Sequence, residues 1–566
     1  MSLEENCYRL WAGHTYFDAD TRAELAAIAD NAWEVKDRFH KSLEFGTGGL
    51  RALIGAGTNR MNRYMVRLAS RGLADHIPAS ERHRGVVIAY DSRRLSAEFA
   101  REAALTLNAA GIPAYLWDSL RPTPMLSFAV RELRAIAGVV VTASHNPPEY
   151  NGYKVYWEDG GQVPPDRASA IQACMRSVTD LTTVQPMPTY QAIARGLLRP
   201  VPSTVDRAYY DRLETLTVTT SSQRQDCRIL YTPLHGAGSL PVRRALTEAG
   251  YLVDVVKAQE LPDPGFSTVR APNPEEPAVF AMALQQAAVT RPDVIMATDP
   301  DADRLGVAAR DRQGRYRLLT GNQIGALLVD FLLSTRPLPA NGAIIKTIAT
   351  SNLIAPLCQT HGVTLLNVHT GFKFVGDKIR EFEATGSHTF LFGMEESYGY
   401  LGATFVRDKD AVMSALLMAE ATAYHRAAGR TLYDALQSIW QRCGCFQEDL
   451  HTVHLPGLEG EARIAQLMDR LRQEPPAHIG HAKVAFADDY LTGRSREEES
   501  GQETPLALGR ANVLHYRFAD GGFVMVRPSG TESKLKLYVS VSAADLPRAR
   551  RKLRAVKAAT LRMLEI

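Results

Sequence analysis

The chain has 566 residues, of which 45% are hydrophobic and 22% are charged, and its formal net charge is +3. This length exceeds what one hydrophobic core supports and predicts about three to five domains. The small net charge excludes a global attraction to nucleic acid or to an anionic membrane, so any anion-binding group has to be local.

The N-terminus carries acidic residues, Glu4 and Glu5, where a signal peptide would be basic. No apolar stretch approaches the ~20 residues that span a bilayer, and we therefore predict a cytoplasmic protein. The six cysteines form no paired framework. Cys443 and Cys445 lack the spacing and the second pair typical of a zinc site, so we expect reduced cysteines without a metal role.

Short apolar runs alternate with amphipathic helical segments along most of the chain, a pattern typical of α/β layers with largely parallel sheets. Helical apolar spacing predicts helices over 96–110, 240–249 and 410–426. Gly111 and Gly250 follow the first two segments, and glycine at such positions ends a helix.

Three successive stretches each contain two strand-like runs that end in a polar loop, which predicts a triplicated α/β unit. The runs lie at 85–90 and 138–141, at 228–231 and 293–297, and at 343–345 and 389–392. Parallel sheets place functional loops at the carboxyl ends of their strands, so the loops after these runs are the candidate site.

The pattern changes beyond about Gly444, and the charged stretch 491–503 is typical of a surface loop in or beside a smaller α+β domain. We therefore predict three similar α/β domains with mixed or parallel sheets, followed by a smaller C-terminal α+β domain. The predicted boundaries are 1–205, 206–315, 316–445 and 446–566.

A serine stands at the end of one strand-like run. The apolar stretch 135–141 is followed by Thr142-Ala143-Ser144-His145-Asn146-Pro147, which cannot continue a buried strand. Ser144 therefore presents a hydroxyl at a strand end. Alone, such a serine is more typical of a turn or a helix cap, and no Gly-x-Ser-x-Gly elbow surrounds it to favour a serine hydrolase.

The second polar loop is Asp299-Pro300-Asp301-Ala302-Asp303-Arg304. Three carboxylates at alternate positions repel one another unless a cation gathers them, and oxygen ligands of this kind suit magnesium. A calcium EF-hand is disfavoured, because Arg304 stands where glycine is needed and Arg310 where glutamate is needed. A solvated acidic turn is the alternative for this loop alone. Together with Ser144, the loop indicates a phosphoryl-carrying serine beside a divalent metal.

A basic loop lies near the C-terminus, after the apolar run 522–526. Its sequence is Arg527-Pro528-Ser529-Gly530-Thr531-Glu532-Ser533-Lys534. A guanidinium, hydroxyls, backbone N–H groups and an ammonium within eight residues are typical of a phosphate site.

These segments resemble the α-D-phosphohexomutase superfamily, and more closely its branch of phosphoglucomutases and phosphopentomutases. The resemblance covers nearly the whole chain. It rests on Phe45-Gly46-Thr47-Gly48-Gly49-Leu50-Arg51, the serine loop as far as Lys154, the aspartate loop, Glu395-Glu396-Ser397 and the loop that begins at Arg527.

The resemblance implies four domains arranged round a central cleft, with one motif of each domain facing that cleft and a phosphoserine at Ser144. Magnesium would be bound by Asp299, Asp301 and Asp303, with an oxygen of the serine phosphate as a further ligand. Arg51 and Lys154 match positions near the phosphoserine, and either could assist proton transfer. His145 could orient the serine, and Arg304 lies beside the metal as a substrate-binding candidate.

The resemblance also implies a sugar site and a site for the phosphate that is not reacting. Glu395 and Ser397 would hold sugar hydroxyls. The segment His369-Thr370-Gly371-Phe372-Lys373 resembles the sugar-discriminating loop, which makes Thr370, Gly371 and Lys373 substrate-binding candidates; a surface lysine and a core phenylalanine are the alternative reading. The distant phosphate would be held by Arg527, Ser529, Gly530 and Thr531.

The chain departs from the family pattern at three places. Ala52 and Ala411 stand where glycine is common, which affects backbone freedom and leaves the charged groups in place. The segment Tyr398-Gly399-Tyr400 has no counterpart of the histidine that dual-specificity phosphomannomutases carry. This favours glucose phosphate over mannose phosphate and leaves the general base unassigned.

We therefore predict an isomerase, an intramolecular phosphotransferase of carbohydrate metabolism that interconverts glucose 1-phosphate and glucose 6-phosphate. Its cofactors would be Mg²⁺ and glucose 1,6-bisphosphate, the latter as activator and intermediate, and its partner a small sugar phosphate, without nucleic acid or membrane. Phosphopentomutase or phosphomannomutase activity and a glucose 1,6-bisphosphate synthase stay open, as does the oligomeric state. A metal-dependent phosphatase would leave the serine loop idle, and a non-catalytic phosphosugar-binding protein would not need both Ser144 and three aspartates.

Overall fold

The computed structural model describes residues 2–45, 49–455, 457–529 and 534–565. Three helices come first, each with a side-chain cap at its N-terminus: α1 (Leu3–Gly13), α2 (Ala19–Ala26) and α3 (Ala32–Phe39). They pack on the first α/β unit through aromatic rings: Trp11 and Phe17 stack with centroids 4.4 Å apart, and both meet Tyr64 edge to face.

The first sheet has the strand order β1-β5-β4-β2-β3-β6. Its elements are β1 (Leu50–Leu53), α4 (Arg63–His76), β2 (Val86–Tyr90), α5 (Ser96–Ala109), β3 (Ala114–Leu116), α6 (Thr123–Glu132), β4 (Ala137–Val141), β5 (Tyr150–Trp157), α7 (Pro165–Ser177), α8 (Thr189–Ala194) and β6 (Leu198–Pro200). Strand β2 pairs in parallel with β3 and β4, and β5 returns antiparallel to β4.

The second sheet has the order β11-β10-β9-β7-β8. Its elements are α9 (Ser203–Glu214), α10 (Ser221–Gln225), β7 (Arg228–Thr232), α11 (Ser239–Glu248), β8 (Leu252–Val255), α12 (Lys257–Glu260), α13 (Ala281–Thr290), β9 (Val294–Thr298), β10 (Leu305–Arg310) and β11 (Tyr316–Leu318). Strand β7 pairs in parallel with β8 and β9, and β10 is antiparallel to β9.

The third sheet has the order β13-β12-β14-β15. Its elements are α14 (Gly321–Thr335), β12 (Gly342–Thr347), α15 (Ile354–Thr360), β13 (Thr364–Val368), α16 (Lys373–Thr385), β14 (Thr389–Glu395), β15 (Gly399–Leu401), α17 (Ala411–Ala427) and α18 (Leu432–Cys443). Strand β12 pairs in parallel with β13 and β14, and β15 is antiparallel to β14.

The three sheets repeat one topology. In each sheet, the parallel strand that comes first in the chain lies between the second and the third parallel strands. An antiparallel strand then pairs with the third. This confirms the predicted set of three similar α/β units; the domain boundaries stay a prediction. The predicted helices are also present as α5, α11 and α17, and Gly111 and Gly250 follow the first two with φ of 77° and 95°.

The C-terminal part is an antiparallel sheet with two long helices, as the predicted α+β domain requires. Its elements are β16 (Cys445–His454), α19 (Gly457–Gln473), β17 (His478–Ile479), β18 (Ala482–Asp489), β19 (Arg494–Glu497), β20 (Glu503–Pro505), β21 (Leu514–Phe518), β22 (Phe523–Pro528), β23 (Lys534–Ala543) and α20 (Leu546–Met563). The order is β16-β23-β22-β21-β18-β19-β20, and β17 pairs with β18.

The expectation of a surface loop over 491–503 is wrong for 494–497 and for Glu503, which are strand, whereas the remaining residues of that stretch are turns or irregular. Strands β19 and β20 form an antiparallel pair there, at the edge of the last sheet. Strand β20 is the edge strand, and β19 pairs with β18 on its other side. Charged residues on an edge strand protect it from pairing with other chains. Their polar composition is therefore that of a loop, although their backbone is extended.

All six cysteines are free thiols. Within the described ranges, no helix has both the length and the apolar character needed to cross a membrane.

Candidate active site

The three sheets each contribute one loop to the candidate site, and each loop joins the third parallel strand to the antiparallel strand that follows. The loops connect β4 to β5, β9 to β10 and β14 to β15. Each contains one non-glycine residue at positive φ: Ser144 at 52°, Ala302 at 47° and Tyr398 at 65°. Residues other than glycine rarely adopt this backbone conformation, and those that do cluster at functional sites.

Ser144 is buried against the aspartate loop of the second sheet. Its hydroxyl donates to Asp299 Oδ2 at 2.6 Å, and Oγ lies 3.2 Å from His145 Nδ1. A serine hydroxyl has one proton, so the imidazole is the donor in the second contact. Burial, with the charges of Arg304 and Arg51, holds the pKa of His145 well below its ordinary value. A neutral imidazole therefore orients the Ser144 oxygen.

Arg93 holds the backbone of the serine loop. Its guanidinium donates to the carbonyl oxygens of Ser144 and Asn146, and also to those of Pro147 at 2.8 Å and Tyr150 at 3.1 Å. Its Nε lies 3.4 Å from a carboxylate oxygen of Asp91, which follows β2. A buried guanidinium with several donors in a fixed plane can fix one loop conformation in this way.

Asp299, Asp301 and Asp303 bring carboxylate oxygens within 4.8 Å of one another. Burial, together with the charges of Asp303 and Asp301, raises the pKa of Asp299 well above its ordinary value. Among the described residues, Oδ1 of Asp301 and Oδ1 of Asp303 are buried and have no hydrogen-bond partner. Buried, unpartnered carboxylate oxygens are costly unless a cation binds them, so this group fits a metal ion with oxygen ligands.

Two lysines and a threonine take up the other oxygens of the aspartates. Asp301 Oδ2 accepts from Lys154 Nζ at 2.7 Å and from Thr123 Oγ1 at 2.8 Å. Asp303 Oδ2 lies 3.3 Å from Lys154 Nζ and 3.2 Å from Lys409 Nζ. The ammonium groups thus occupy one oxygen of Asp301 and of Asp303 and leave the other oxygen of each for a metal. Asp299 instead accepts from the Ser144 hydroxyl and from two backbone N–H groups of its own loop.

Arg51 and Arg304 lie on the edge of this group. Arg51 Nη1 donates to Asn146 Oδ1 at 2.9 Å, and burial together with the charge of Arg304 lowers its pKa. The Arg304 guanidinium is paired with Glu275, and its Nε is 4.0 Å from Asp299 Oδ2. Both guanidiniums therefore stand within reach of an anion that approaches the metal group.

The third sheet supplies the predicted sugar-binding residues. Glu395 is buried at the end of β14, 4.0 Å from Lys409 Nζ, and Ser397 is half-buried in the following loop. Thr370 and Gly371 precede α16, which begins at Lys373, and Gly371 has a φ of 114°. The structure brings Glu395 to the same lysine as Asp303, and the ring of Phe372, within the Thr370 to Lys373 segment, lies 5.7 Å from that ammonium.

The C-terminal sheet places Arg527 on β22 directly opposite Lys536 on β23. Burial lowers the pKa of Lys373 and of Lys536, and the charge of Arg527 lowers both further. Arg527 and Lys536 are therefore neighbouring cations, and the charge of Arg527 acts on Lys373 of the third unit; such a group of positive charges suits a dianion. Ser529 donates its backbone N–H to the Lys534 carbonyl at 2.8 Å. Gly530 and Thr531 lie outside the described residues.

Sequence reasoning assigned no role to several residues that the structure brings to the site, namely Arg93, Thr123, Glu275, Lys409 and Lys536. Arg93 lies just after a predicted strand end, and Lys409 lies two residues before Ala411, where the chain departs from the family pattern. Both positions offered a signal. Thr123, Glu275 and Lys536 offered none, because their partners are far away in the chain.

Comparisons with known proteins show the family of this chain. Models of the phosphoglucomutase/phosphomannomutase α/β/α domains I, II and III match residues 42–181, 207–314 and 320–443. A phosphoglucomutase of Staphylococcus epidermidis is 37% identical over 90% of this chain and 92% of its own length. A phosphoglucomutase of Staphylococcus haemolyticus is 38% identical over 89% of this chain and 91% of its own length.

A solved structure has the same fold. The open form of pp63/parafusin, a phosphoglucomutase of Paramecium, superposes with a TM-score of 0.69 at 16% identity, covering 93% of this chain and 96% of that one. The resemblance noted in the sequence is thereby confirmed: the chain belongs to the phosphoglucomutase/phosphomannomutase family of the α-D-phosphohexomutase superfamily.

Proposed function

We propose that this protein is a phosphoglucomutase that interconverts glucose 1-phosphate and glucose 6-phosphate through a phosphoserine at Ser144. The observation that carries the proposal is the contact of 2.6 Å between Ser144 Oγ and Asp299, in a group that has two unpartnered carboxylate oxygens. A serine that only capped a turn would not need a buried cation site beside it. The relatives at 36–38% identity are named phosphoglucomutase, which supports the same reaction.

Magnesium is the ion that we propose for Asp299, Asp301 and Asp303. The three side chains offer only oxygen atoms, which suit a hard cation that keeps positions for water or a phosphoryl oxygen. When bound, the ion would neutralise charge on the oxygens of the transferring phosphoryl group. Phosphoryl transfer passes through a loose transition state with charge on those oxygens, so alignment and electrostatic stabilisation are the main tasks of the site.

In the first half-reaction, the phosphoserine would give its phosphoryl group to the free hydroxyl of a sugar monophosphate. Arg93 holds the backbone of Ser144 in place, and His145 orients its oxygen. Lys154 and Lys409 bring positive charge to the same aspartates. Glu395 lies beside Lys409, where a sugar hydroxyl would be held. The product is glucose 1,6-bisphosphate, and Ser144 is left as a free hydroxyl.

In the second half-reaction, the bisphosphate turns over in the cleft and returns its other phosphoryl group to Ser144. The same serine serves both steps, so the distant site has to accept the phosphate of either end of the sugar. We propose that Arg527, Ser529, Lys373 and Lys536 form that site, with Gly530 and Thr531. A site that recognises the phosphate by its charge, and not by the sugar carbon that carries it, accepts both orientations of the bisphosphate.

Glucose is the sugar that we propose. The loop between β14 and β15 contains Tyr398, Tyr400 follows on β15, and neither the loop nor β15 contains a histidine. The hydroxyl of Tyr400 is buried and donates to the Gly321 carbonyl at 2.9 Å, so it serves the packing of the loop and is not directed at the cleft. The dual-specificity pattern that would favour mannose phosphate is therefore absent from this loop.

Initial rates test the proposal, measured with glucose 1-phosphate, mannose 1-phosphate and ribose 1-phosphate, each with and without a trace of glucose 1,6-bisphosphate. We expect the highest rate with glucose 1-phosphate and activation by the bisphosphate. Intact-mass measurement should show one phosphoryl group that Ser144→Ala loses and Ser70→Ala keeps. Release of inorganic phosphate without isomerisation would instead indicate a phosphatase, and activity that persists in Ser144→Ala would overturn the mechanism.

A further inference from the structure

Strand β5 carries two polar side chains that point to the site from one face. Lys154 and Tyr156 are two positions apart, and alternate residues of a strand share a face. Lys154 Nζ donates to Asp301, whereas the Tyr156 hydroxyl donates to Asp408 Oδ2 at 2.8 Å. Tyr156 is fully buried. A tyrosine of the first unit thus bonds to a carboxylate of the third.

Asp408 uses its other oxygen to hold Lys409. Its Oδ1 accepts from the Lys409 backbone N–H at 2.8 Å and from Lys409 Nζ at 3.2 Å. The same ammonium is 3.2 Å from Asp303 Oδ2 and 4.0 Å from Glu395 Oε1. A continuous chain of contacts therefore runs from Tyr156 through Asp408 and Lys409 to the metal group.

The backbone of this loop has anchors that do not involve Tyr156. The backbone N–H of Arg407 donates to Ser127 Oγ at 2.9 Å, and the Tyr209 hydroxyl donates to Asp410 at 2.9 Å. Loss of the Tyr156 hydroxyl would therefore leave the loop in place and release only the carboxylate of Asp408. A lysine side chain has a flexible four-carbon stem, so the position of its ammonium depends on such a partner.

Resting on the proposed function, we propose that Tyr156 is a positioning residue for phosphoryl transfer. Its hydroxyl fixes the Asp408 carboxylate, and Asp408 keeps the Lys409 ammonium between Asp303 and Glu395. In that position the positive charge of Lys409 lies between the aspartates of the metal group and Glu395 of the sugar site. The phosphoryl group would pass between these two sites when it moves from Ser144 to the sugar. Tyr156 itself does not touch the substrate.

Tyr153 provides a matched control on the same strand. It is fully buried, and its hydroxyl lies 3.0 Å from Ser70 Oγ, away from the aspartates. Tyr156→Phe and Tyr153→Phe each remove one buried hydroxyl and keep the ring. Each should lower the melting temperature by a similar amount, since a buried hydrogen bond contributes on the order of 1 kcal/mol.

The test is steady-state kinetics with glucose 1-phosphate and glucose 1,6-bisphosphate. We expect Tyr156→Phe to lower kcat by roughly tenfold or more with KM changed by less than about threefold, and Tyr153→Phe to keep the wild-type kcat. Asp408→Asn should also lower kcat, and the double variant Tyr156→Phe/Asp408→Asn should lose no more than Asp408→Asn alone, because both changes interrupt one chain of contacts.

Two results would overturn the role of Tyr156: equal kcat values for the two phenylalanine variants, or fully additive losses in the double variant. Both results are compared with a wild-type enzyme that is active, so neither would contradict the proposed function. A wild-type protein that isomerises none of the sugar phosphates would instead refute the proposed function and this inference together.

Discussion

Ser144 and Asp299 are 155 positions apart in the chain, and the Ser144 hydroxyl donates to Asp299 Oδ2 at 2.6 Å. Each residue follows the third parallel strand of its own sheet. The two sheets therefore have to pack in one relative position for the serine to meet the aspartates. Nearby, the backbone N–H of Thr123 donates to the Asp301 carbonyl at 2.9 Å, which fixes the start of α6 against the aspartate loop.

Substitution of Asp301 should remove metal binding without unfolding the protein. In Asp301→Asn, one of the unpartnered oxygens is lost together with a negative charge, so kcat should fall by ~100-fold or more, as expected when stabilisation by a metal is lost. Initial rates across a magnesium titration measure this loss. Asp311→Asn is the control, because Asp311 is also a buried aspartate of the second unit but pairs with Arg315 and Arg317. Equal rates in both variants would contradict the metal site.

Arg93→Lys should slow turnover although it keeps the positive charge. One ammonium cannot replace a guanidinium that donates to four carbonyl groups of the serine loop, so Ser144 would lose its fixed position. We expect kcat to fall by about tenfold or more, together with slower phosphorylation of the enzyme by glucose 1,6-bisphosphate. Arg94→Lys changes an exposed neighbour and should behave as the wild type. An unaffected phosphorylation rate in Arg93→Lys would exclude this role.

Gly321→Ala should displace the loop that carries Glu395 and Ser397. A Cβ atom at Gly321 would lie 2.2 Å from the Glu396 carbonyl oxygen and 3.0 Å from the Tyr398 nitrogen, so the loop backbone has to move. We expect a rise in KM for glucose 1-phosphate of roughly tenfold, because displacement of a substrate-positioning group is costly. Gly13→Ala is the control, since no atom lies within 4 Å of its added Cβ. An unchanged KM would show that the loop does not bind the sugar.

Arg527→Met should weaken substrate binding more than it slows the chemical step. Arg527 lies opposite Lys536, in the group of cations proposed for the distant phosphate. KM for glucose 1-phosphate should rise by ~10-fold, as expected for the loss of a charge-assisted contact. Arg510→Met, which changes an exposed arginine of the same domain, should leave KM at the wild-type value. Normal kinetics in Arg527→Met would remove this residue from the phosphate site.

Asp410 should make the stability of the protein depend on pH. Burial raises its pKa from 3.8 to about 7, against the hydrogen bonds that it accepts from Met413 and Tyr209. The folded state then binds the proton more tightly than the unfolded state, so this contribution to stability decreases as the pH rises from 3.8 towards about 7. Asp410→Asn keeps the cap of α17 and removes the charge.

Melting temperatures of the wild type and of Asp410→Asn, measured at about pH 5 and about pH 8, check this expectation. The variant should gain stability relative to the wild type at the higher pH. The same difference in melting temperature at both values would show that Asp410 does not titrate in this range.

The sequence alone determined the helices and strands that carry the site and the kinds of chemical group that the site contains. The strands that lead to Ser144, to the aspartate loop and to Glu395 could be predicted from the sequence. Side-chain periodicity, glycine stops and polar turns are local properties of a chain. The repeated topology and the family followed from the same segments. The strands β19 and β20 were missed, because short, exposed strands at and next to the edge of a sheet have the composition of a loop.

The tertiary structure decided which atoms meet. Whether Asp301 and Asp303 keep a free oxygen depends on Lys154 and Lys409, which come from the first and third units. Tyr156 on β5 likewise gains its role only when its hydroxyl meets Asp408 of the third unit. These contacts form between sheets, where relative position is set by the packing of buried surfaces over the whole chain, and no local pattern encodes the distance between two such side chains.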